Sequence, residues 1–168
     1  FKSLDKDCRR DWKRDYKVKK LDKITTKLLK DILDIYASKP TRQNREINYM
    51  YLLPTGEWVD IRRGWPHTYG KHCSKHYFDF YGCFDKSKLV AFLELLHSNK
   101  LSLVYSTMGD TNYKGVMRRL FIEAIRLSKP RYLIYGDKSS RQEMRLFLND
   151  LKITETDSLF VYELSDPC

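Results

Sequence analysis

Residues 77–107 hold three apolar runs of strand length, 77–84, 88–96 and 100–107, separated only by Asp85-Lys86-Ser87 and by His97-Ser98-Asn99. Links this short join antiparallel neighbours, because a parallel connection needs a dozen or more residues. The stretch is therefore expected to be an antiparallel meander at the centre of the fold. Upstream, Ile24, Leu28, Leu29, Ile32, Ile35 and Tyr36 recur at helical spacing over 24–37, and Pro40 stops that helix. Residues 46–53 and 57–61 predict two strands around Pro54-Thr55-Gly56, followed by a loop over 62–76 broken by Gly64, Pro66 and Gly70. Downstream come a short loop at 112–115 and a helix with Met117, Leu120, Phe121, Ala124 and Leu127 facing the core. A strand over 131–136 follows, then a helix opened by the capping pair Ser140 and Glu143, and a last strand at 158–164. This order predicts an α/β domain built on a single mixed, mostly antiparallel sheet flanked by helices. A chain of 168 residues suits one such domain. Residues 1–20, rich in charge and poor in apolar anchors, are expected to form a basic N-terminal arm or helix, with the domain proper over 21–168.

The net charge of +10 is concentrated in two places. Residues 1–31 carry 12 Lys/Arg against 6 Asp, and 61–76 carry Arg62, Arg63, Lys71 and Lys75 with no acid. Those excesses, +6 and +4, account for the whole imbalance, so the remainder is neutral. Clustered cations suit a polyanion, with nucleic acid first among candidates; a solvated basic tail and loop is the plainer alternative. No apolar run approaches the length of a membrane span, so no membrane partner is expected. Cys8, Cys73, Cys83 and Cys168 have no paired spacing, which favours reduced thiols and a cytoplasmic setting. The chain opens on Phe1 without a visible signal peptide, and its natural start is expected to lie elsewhere.

The chemistry is expected at residues 67–80. His67, His72, Cys73, His76, Tyr77 and Asp79 crowd into fourteen positions and are side chains that bind metals or move protons. If the strand begins at 77, Tyr77, Asp79 and Tyr81 share one face while Phe78 and Phe80 share the other. An aspartate in a strand is costly to bury unless paired, hydrogen-bonded or metal-bound. The alternative is an edge carboxylate facing water or bonded to an arginine. Two histidines and a carboxylate would suit a non-haem iron centre, whereas a structural zinc site would want a second ligand pair that the chain lacks. Asp137, after the strand at 131–136, is a further proton acceptor, or simply the start of a loop. Trp58, Trp65, Tyr69, Tyr77 and Tyr81 offer ring surfaces near the basic loop, and Trp65, between Gly64 and Pro66, is the least core-like of them.

From Gly82 to Leu164 the pattern resembles the GNAT acyltransferase superfamily. NYKGVMRRLFIEAIRL, from Asn112, stands where that family has its phosphate-binding loop and following helix. The resemblance implies a GNAT-like domain over 21–168 and donor contacts from Tyr113, Lys114 and Gly115. Only the middle glycine of the family's loop pattern survives, with Met117 expected to crowd the approach, and this argues against acetyl-CoA or another acyl donor. Tyr77-Phe78-Asp79-Phe80 is similar to the signature of the Mom DNA-modification proteins of Mu-like bacteriophages, which belong to the same superfamily. That resemblance implies modification of adenine in double-stranded DNA to a carbamoylmethyl form at N6, protecting it from restriction. It implies iron as cofactor, with His76, Tyr77 and Asp79 as metal residues and Tyr77, Asp79 and Asp137 as catalytic residues. Such an enzyme extrudes its target base and stacks it on aromatic rings. Arg62, Arg63, Trp65, Lys71 and Lys75 are then the nucleic-acid contacts. For a viral protein the setting becomes the host cytoplasm. The oligomeric state is left open, a dimer being one option. Two other readings stand beside this one: an acetyl-CoA-dependent N-acetyltransferase acting on a protein, tRNA or small amine, and a nucleic-acid-binding protein without chemistry.

Overall fold

In the computed structural model, the described residues are 10, 13–38, 41–42, 45–46, 48–53, 57–66, 70–71, 76–98, 101–130 and 132–134, with backbone alone at 41–42, 45–46, 70–71, 76, 98, 101, 132 and 134. The meander forms as its short links require. Strands β7 (His76–Asp85), β8 (Lys88–Ser98) and β9 (Leu101–Gly109) pair antiparallel in sequence order. Strand β1 (Tyr16–Leu21) adds antiparallel to β7, and β10 (Tyr132–Ile134) adds parallel to β9, giving the path β1-β7-β8-β9-β10. A two-residue strand, β6 (Gly70–Lys71), also pairs β7, from within the stretch read as a basic loop. The capped helix expected from 140 and the strand expected at 158–164 lie outside the described residues.

Among the described residues, each face of the sheet carries one helix. Helix α1 (Thr26–Ala37) is capped by the Thr25 hydroxyl, which accepts from the Leu28 N–H at 3.3 Å. It lays Ile32, Ile35 and Tyr36 against Phe80, Leu89 and Phe92. Helix α2 (Val116–Ser128) packs Val116, Leu120, Phe121 and Ala124 against Tyr81, Cys83, Ala91, Leu93 and Leu95. Leu127, expected in that stripe, is 44% exposed. The inward stripe steps four residues from Ala124, so Ser128 takes the inner place, half-buried, its hydroxyl donating to the Ala124 carbonyl at 2.7 Å.

Two further differences bear on the site. Residues 16–20, read as part of an arm or helix, are strand: Tyr16 and Val18 pack on the α2-side core, Lys20 on the same face reaches Asp79, and Lys17 and Lys19 take the opposite face. Edge strands are often protected by lysine in this way, and that charge hides the alternation. Strands β4 (Met50–Leu52) and β5 (Trp58–Asp60) form the hairpin expected around residues 54–56, shorter than predicted, while Thr41–Arg42 (β2) and Arg45–Glu46 (β3) make a small pair of their own. The hairpin lies over the α1 side of the sheet, with Tyr51 buried in that core.

Candidate active site

Alternation along β7 divides its side chains as expected: Asp79 and Tyr81 point to the α2 side, Phe80 to the α1 side. Asp79 is only 4% exposed. Its partners come from three strands. Lys20 Nζ of β1 lies 2.7 Å from Oδ1, His97 Nε2 of β8 lies 3.3 Å from Oδ2, and the Tyr81 hydroxyl donates to Oδ2 at 3.1 Å. Burial pushes the Asp79 carboxyl up, but the His97 and Lys20 contacts outweigh it and hold the group below the usual carboxylate range. Burial and the neighbouring Asp79 charge push the Tyr81 phenol up. His97 Nδ1 lies 2.7 Å from Ser102 Oγ, and the half-exposed Tyr77 ring stacks on the imidazole at 4.6 Å between centroids.

Ser102, His97 and Asp79 thus stand in the order of a hydrolytic triad. Ser102, however, is 2% exposed, so its hydroxyl has no path to a substrate carbonyl. The physical work of this network is to tie β1, β7, β8 and β9 together. Its cation is a lysine from β1 rather than an arginine of the basic loop, and sequence reasoning missed Lys20, His97 and Ser102. The one signal for His97 was its place directly after the strand read at 88–96.

Among the described residues, nothing supports an iron centre at Tyr77 and Asp79. The described side chains contain no group of three His, Cys, Asp or Glu able to hold a metal ion, and the Asp79 carboxylate is already occupied by Lys20 and Tyr81. His76 is placed as the first residue of β7, its side chain undescribed; His67, His72, Cys73, Lys75 and Asp137 lie outside the described residues. Cys83 is a fully buried free thiol pushed up to about 12 by burial, and it packs as a small apolar filler.

A second carboxylate, on the α1 side, was not singled out by sequence. Glu94 of β8 has no solvent exposure and accepts a hydrogen bond from the Tyr51 hydroxyl at 2.6 Å. Directly opposite, the β8–β9 register slips: Glu94 faces Ser106 but Leu95 faces Val104, so Tyr105 is an extra residue in β9. The Tyr105 hydroxyl donates to the Leu52 carbonyl of the β4–β5 hairpin. Burial, then the Glu94 charge, raises the Tyr105 phenol to about 12, so it stays a donor at neutral pH. Rings gather around this point: Tyr51 lies 5.5 Å from Trp65 and 5.7 Å from Tyr105, and Phe78 meets Tyr105 edge-on at 5.1 Å. Beyond the slip, the parallel pairing of β10 with β9 is described for Tyr132–Ile134 against Leu101–Leu103.

The loop from β9 to α2 is ordered from within. The Asp110 carboxylate accepts from the Asn112 N–H and side-chain amide, both at 2.9 Å, and the Lys114 carbonyl accepts from the Tyr16 hydroxyl at 3.2 Å. Gly115 has φ of 73° and opens α2, whose first turn has no side-chain cap. Those first-turn N–H groups are the natural partners of an anion. Met117, expected to crowd the loop, is turned back onto Gly109: a Cβ added at Gly109 would lie 2.7 Å from its sulfur. The objection to a phosphate-bearing donor therefore weakens. Lys88 Nζ stands 5.9 Å over the Tyr113 ring, and Lys114 is exposed.

Of the expected nucleic-acid contacts, Arg62 is engaged by Asp60, with Nη2 to Oδ2 at 2.6 Å, and lies over the Tyr49 ring at 5.2 Å. That partnership lowers the Asp60 carboxyl to about 2. Arg63 is exposed, and Lys71 falls on β6 with its side chain undescribed. Trp65 differs from its expected character: half-buried, it packs edge-on against Phe80 and Phe92 in the α1-side core.

The element order, the central antiparallel meander and the parallel strand after α2 define an acetyltransferase fold of the GNAT type. Among solved structures, the ribosomal-protein-S18-alanine N-acetyltransferase from Escherichia coli superposes with a TM-score of 0.51 at 13% identity, covering 81% of this chain and 76% of that one. A possible acetyltransferase from Clostridium difficile 630 superposes equally well, TM-score 0.51 at 14% identity, over 89% of this chain and 97% of that one. At these identities the likeness is one of fold. No protein-family model and no curated protein sequence matches the chain.

Proposed function

We propose that the protein is an acyltransferase-type enzyme that modifies an exocyclic amine of adenine in double-stranded DNA. The observation that carries the reading is Glu94, a wholly buried carboxylate held by the Tyr51 hydroxyl, opposite the register slip in β9. A thioester donor, when bound, supplies an electrophilic acyl carbon and a thiolate leaving group. The first-turn N–H groups of α2, with Lys114, would hold the donor's phosphates. Glu94, itself closed off from solvent, would accept through the Tyr51 hydroxyl the proton released as the amine nitrogen bonds to the acyl carbon and the carbon–sulfur bond breaks. The Tyr105 hydroxyl, kept protonated, would remain a hydrogen-bond donor beside it.

Support for DNA as the acceptor is the +10 charge, the aromatic rings about Glu94, and the Tyr77-to-Phe80 tetrapeptide. Acyl transfer of this kind leaves an N6-acyl adenine, whereas the carbamoylmethyl group that the tetrapeptide suggests is bonded to N6 through its methylene carbon, so the mass of the adduct tells the two apart. The test pairs nucleoside mass spectrometry of DNA from cells expressing the protein with thiol release by the purified enzyme. An adenine adduct made by the wild type, and reduced about a hundredfold or more in Glu94→Gln with its melting temperature kept, is the expected result. Thiol release with unaltered DNA would place the acceptor on a protein, tRNA or small amine. Full activity in Glu94→Gln would remove the proposed base.

A further inference from the structure

The β4–β5 hairpin has two unlike faces. Its register pairs Met50 with Asp60 and Leu52 with Trp58, so alternation puts these four side chains on one face and Tyr51 and Val59 on the other. The inner face is fixed to the catalytic side of the sheet through Tyr51 on Glu94. Three of the four outer side chains are apolar and open, Met50 at 39%, Leu52 at 41% and Trp58 at 57% exposed, and the fourth, Asp60, is held by Arg62. Only two other large apolar side chains among the described residues are as exposed, Tyr77 and Leu127. Bare indole of this size has a cost in water that folding leaves standing. Immediately after β5, the 3-10 turn Ile61–Arg63 presents Arg62 and Arg63 to solvent, at the start of the stretch that carries four cations and no acid.

We propose that this hairpin face is where duplex DNA docks, with Trp58 and Leu52 set against a base step and Arg63 on a neighbouring phosphate. The proposal rests on the DNA reading above and adds the contact surface and its linkage to the site. Apolar side chains flanked by arginine suit partial unstacking of a base step, which a basic surface holds in place. A purely apolar partner would gain nothing from the adjoining charge, and a purely electrostatic one would gain nothing from the exposed indole. The same short strand links surface to site. Leu52 turns outward, its carbonyl accepts the Tyr105 hydroxyl, and the preceding Tyr51 holds Glu94. DNA seated on the hairpin therefore bears on the residues that would handle the acceptor's proton.

The experiment is fluorescence anisotropy of a labelled duplex with the full chain, across a salt series. Trp58→Ala should weaken binding by about tenfold at every salt concentration, with unchanged melting temperature because the indole is on the surface. Trp58→Phe should recover part of the loss. Arg63→Gln should lower the salt slope by about one, the mark of one lost phosphate contact. Wild-type affinity in Trp58→Ala would overturn the hairpin proposal while leaving the DNA reading standing. Absence of duplex binding by the wild type would overturn that reading and this surface with it. Loss in Trp58→Ala of binding to anionic phosphatidylserine vesicles, with DNA binding kept, would assign the face to a membrane and also overturn the proposal.

Discussion

Asp79 shows how far a single residue can be read from sequence. That a strand aspartate flanked by phenylalanines needs a partner follows from desolvation alone, and its face follows from alternation. Which partner it takes is a matter of tertiary position: Lys20 arrives from a strand 59 residues earlier and His97 from one 18 residues later. Glu94 was hidden for the same reason. Nothing local distinguishes a glutamate in an apolar strand from a surface one until the hairpin carrying Tyr51 covers it. Asp79→Asn is expected to destabilise the fold by on the order of 2 kcal/mol at neutral pH, the worth of charge-assisted bonds discounted for the half-exposed Lys20. The sign with pH follows from the depressed carboxyl. The Asp79 contribution is fully present above the unfolded value of about 4 and is lost as pH falls through the lower folded value. The gap between wild type and variant in urea denaturation should therefore be constant near pH 7 and close below about pH 4. A gap that persists undiminished at low pH would mean that the carboxylate charge is not what holds the strands.

At the level of elements, legibility tracked how much of the signal was local. The meander, α1 and α2 were plain because short turns and 3.6-residue periodicity sit in the sequence itself. Strand β1 was obscured by lysines that are there because it is an edge, and the extra residue at Tyr105 leaves no mark in composition at all. The loop before α2 lay between these cases: Gly115 was visible, but the direction of Met117 was not, since it depends on the space left by the missing side chain of Gly109. Gly115 sits at φ of 73°, where a β-carbon is strained. Gly115→Ala should cost about 1 kcal/mol in stability by denaturant titration. If the loop holds the donor's phosphates, the same change should raise KM for the donor several-fold with kcat little altered. Thiol-release kinetics against donor concentration would separate the two. An unchanged KM would detach the loop from donor binding.

For the molecule as a whole, charge and fold oppose each other. Ten uncompensated positive charges on a 168-residue chain repel one another in the compact state, and the excess lies in two segments rather than evenly over the surface. The interior ion pair of Asp79 with Lys20 is shielded from salt on one side by burial, whereas surface repulsion is screened within about 10 Å at 0.1 M salt. Salt should accordingly act in opposite directions on stability and on the proposed binding. Raising sodium chloride from about 0.02 to about 0.3 M should raise the melting temperature of the free protein, because self-repulsion is relieved faster than the half-buried pair is weakened. The same change should weaken duplex binding steeply, because each phosphate contact releases a counterion. Scanning calorimetry and anisotropy on one preparation measure both. A melting temperature that falls with salt would show that the cations are held in stabilising pairs within the fold, and would leave few of them for a polyanion.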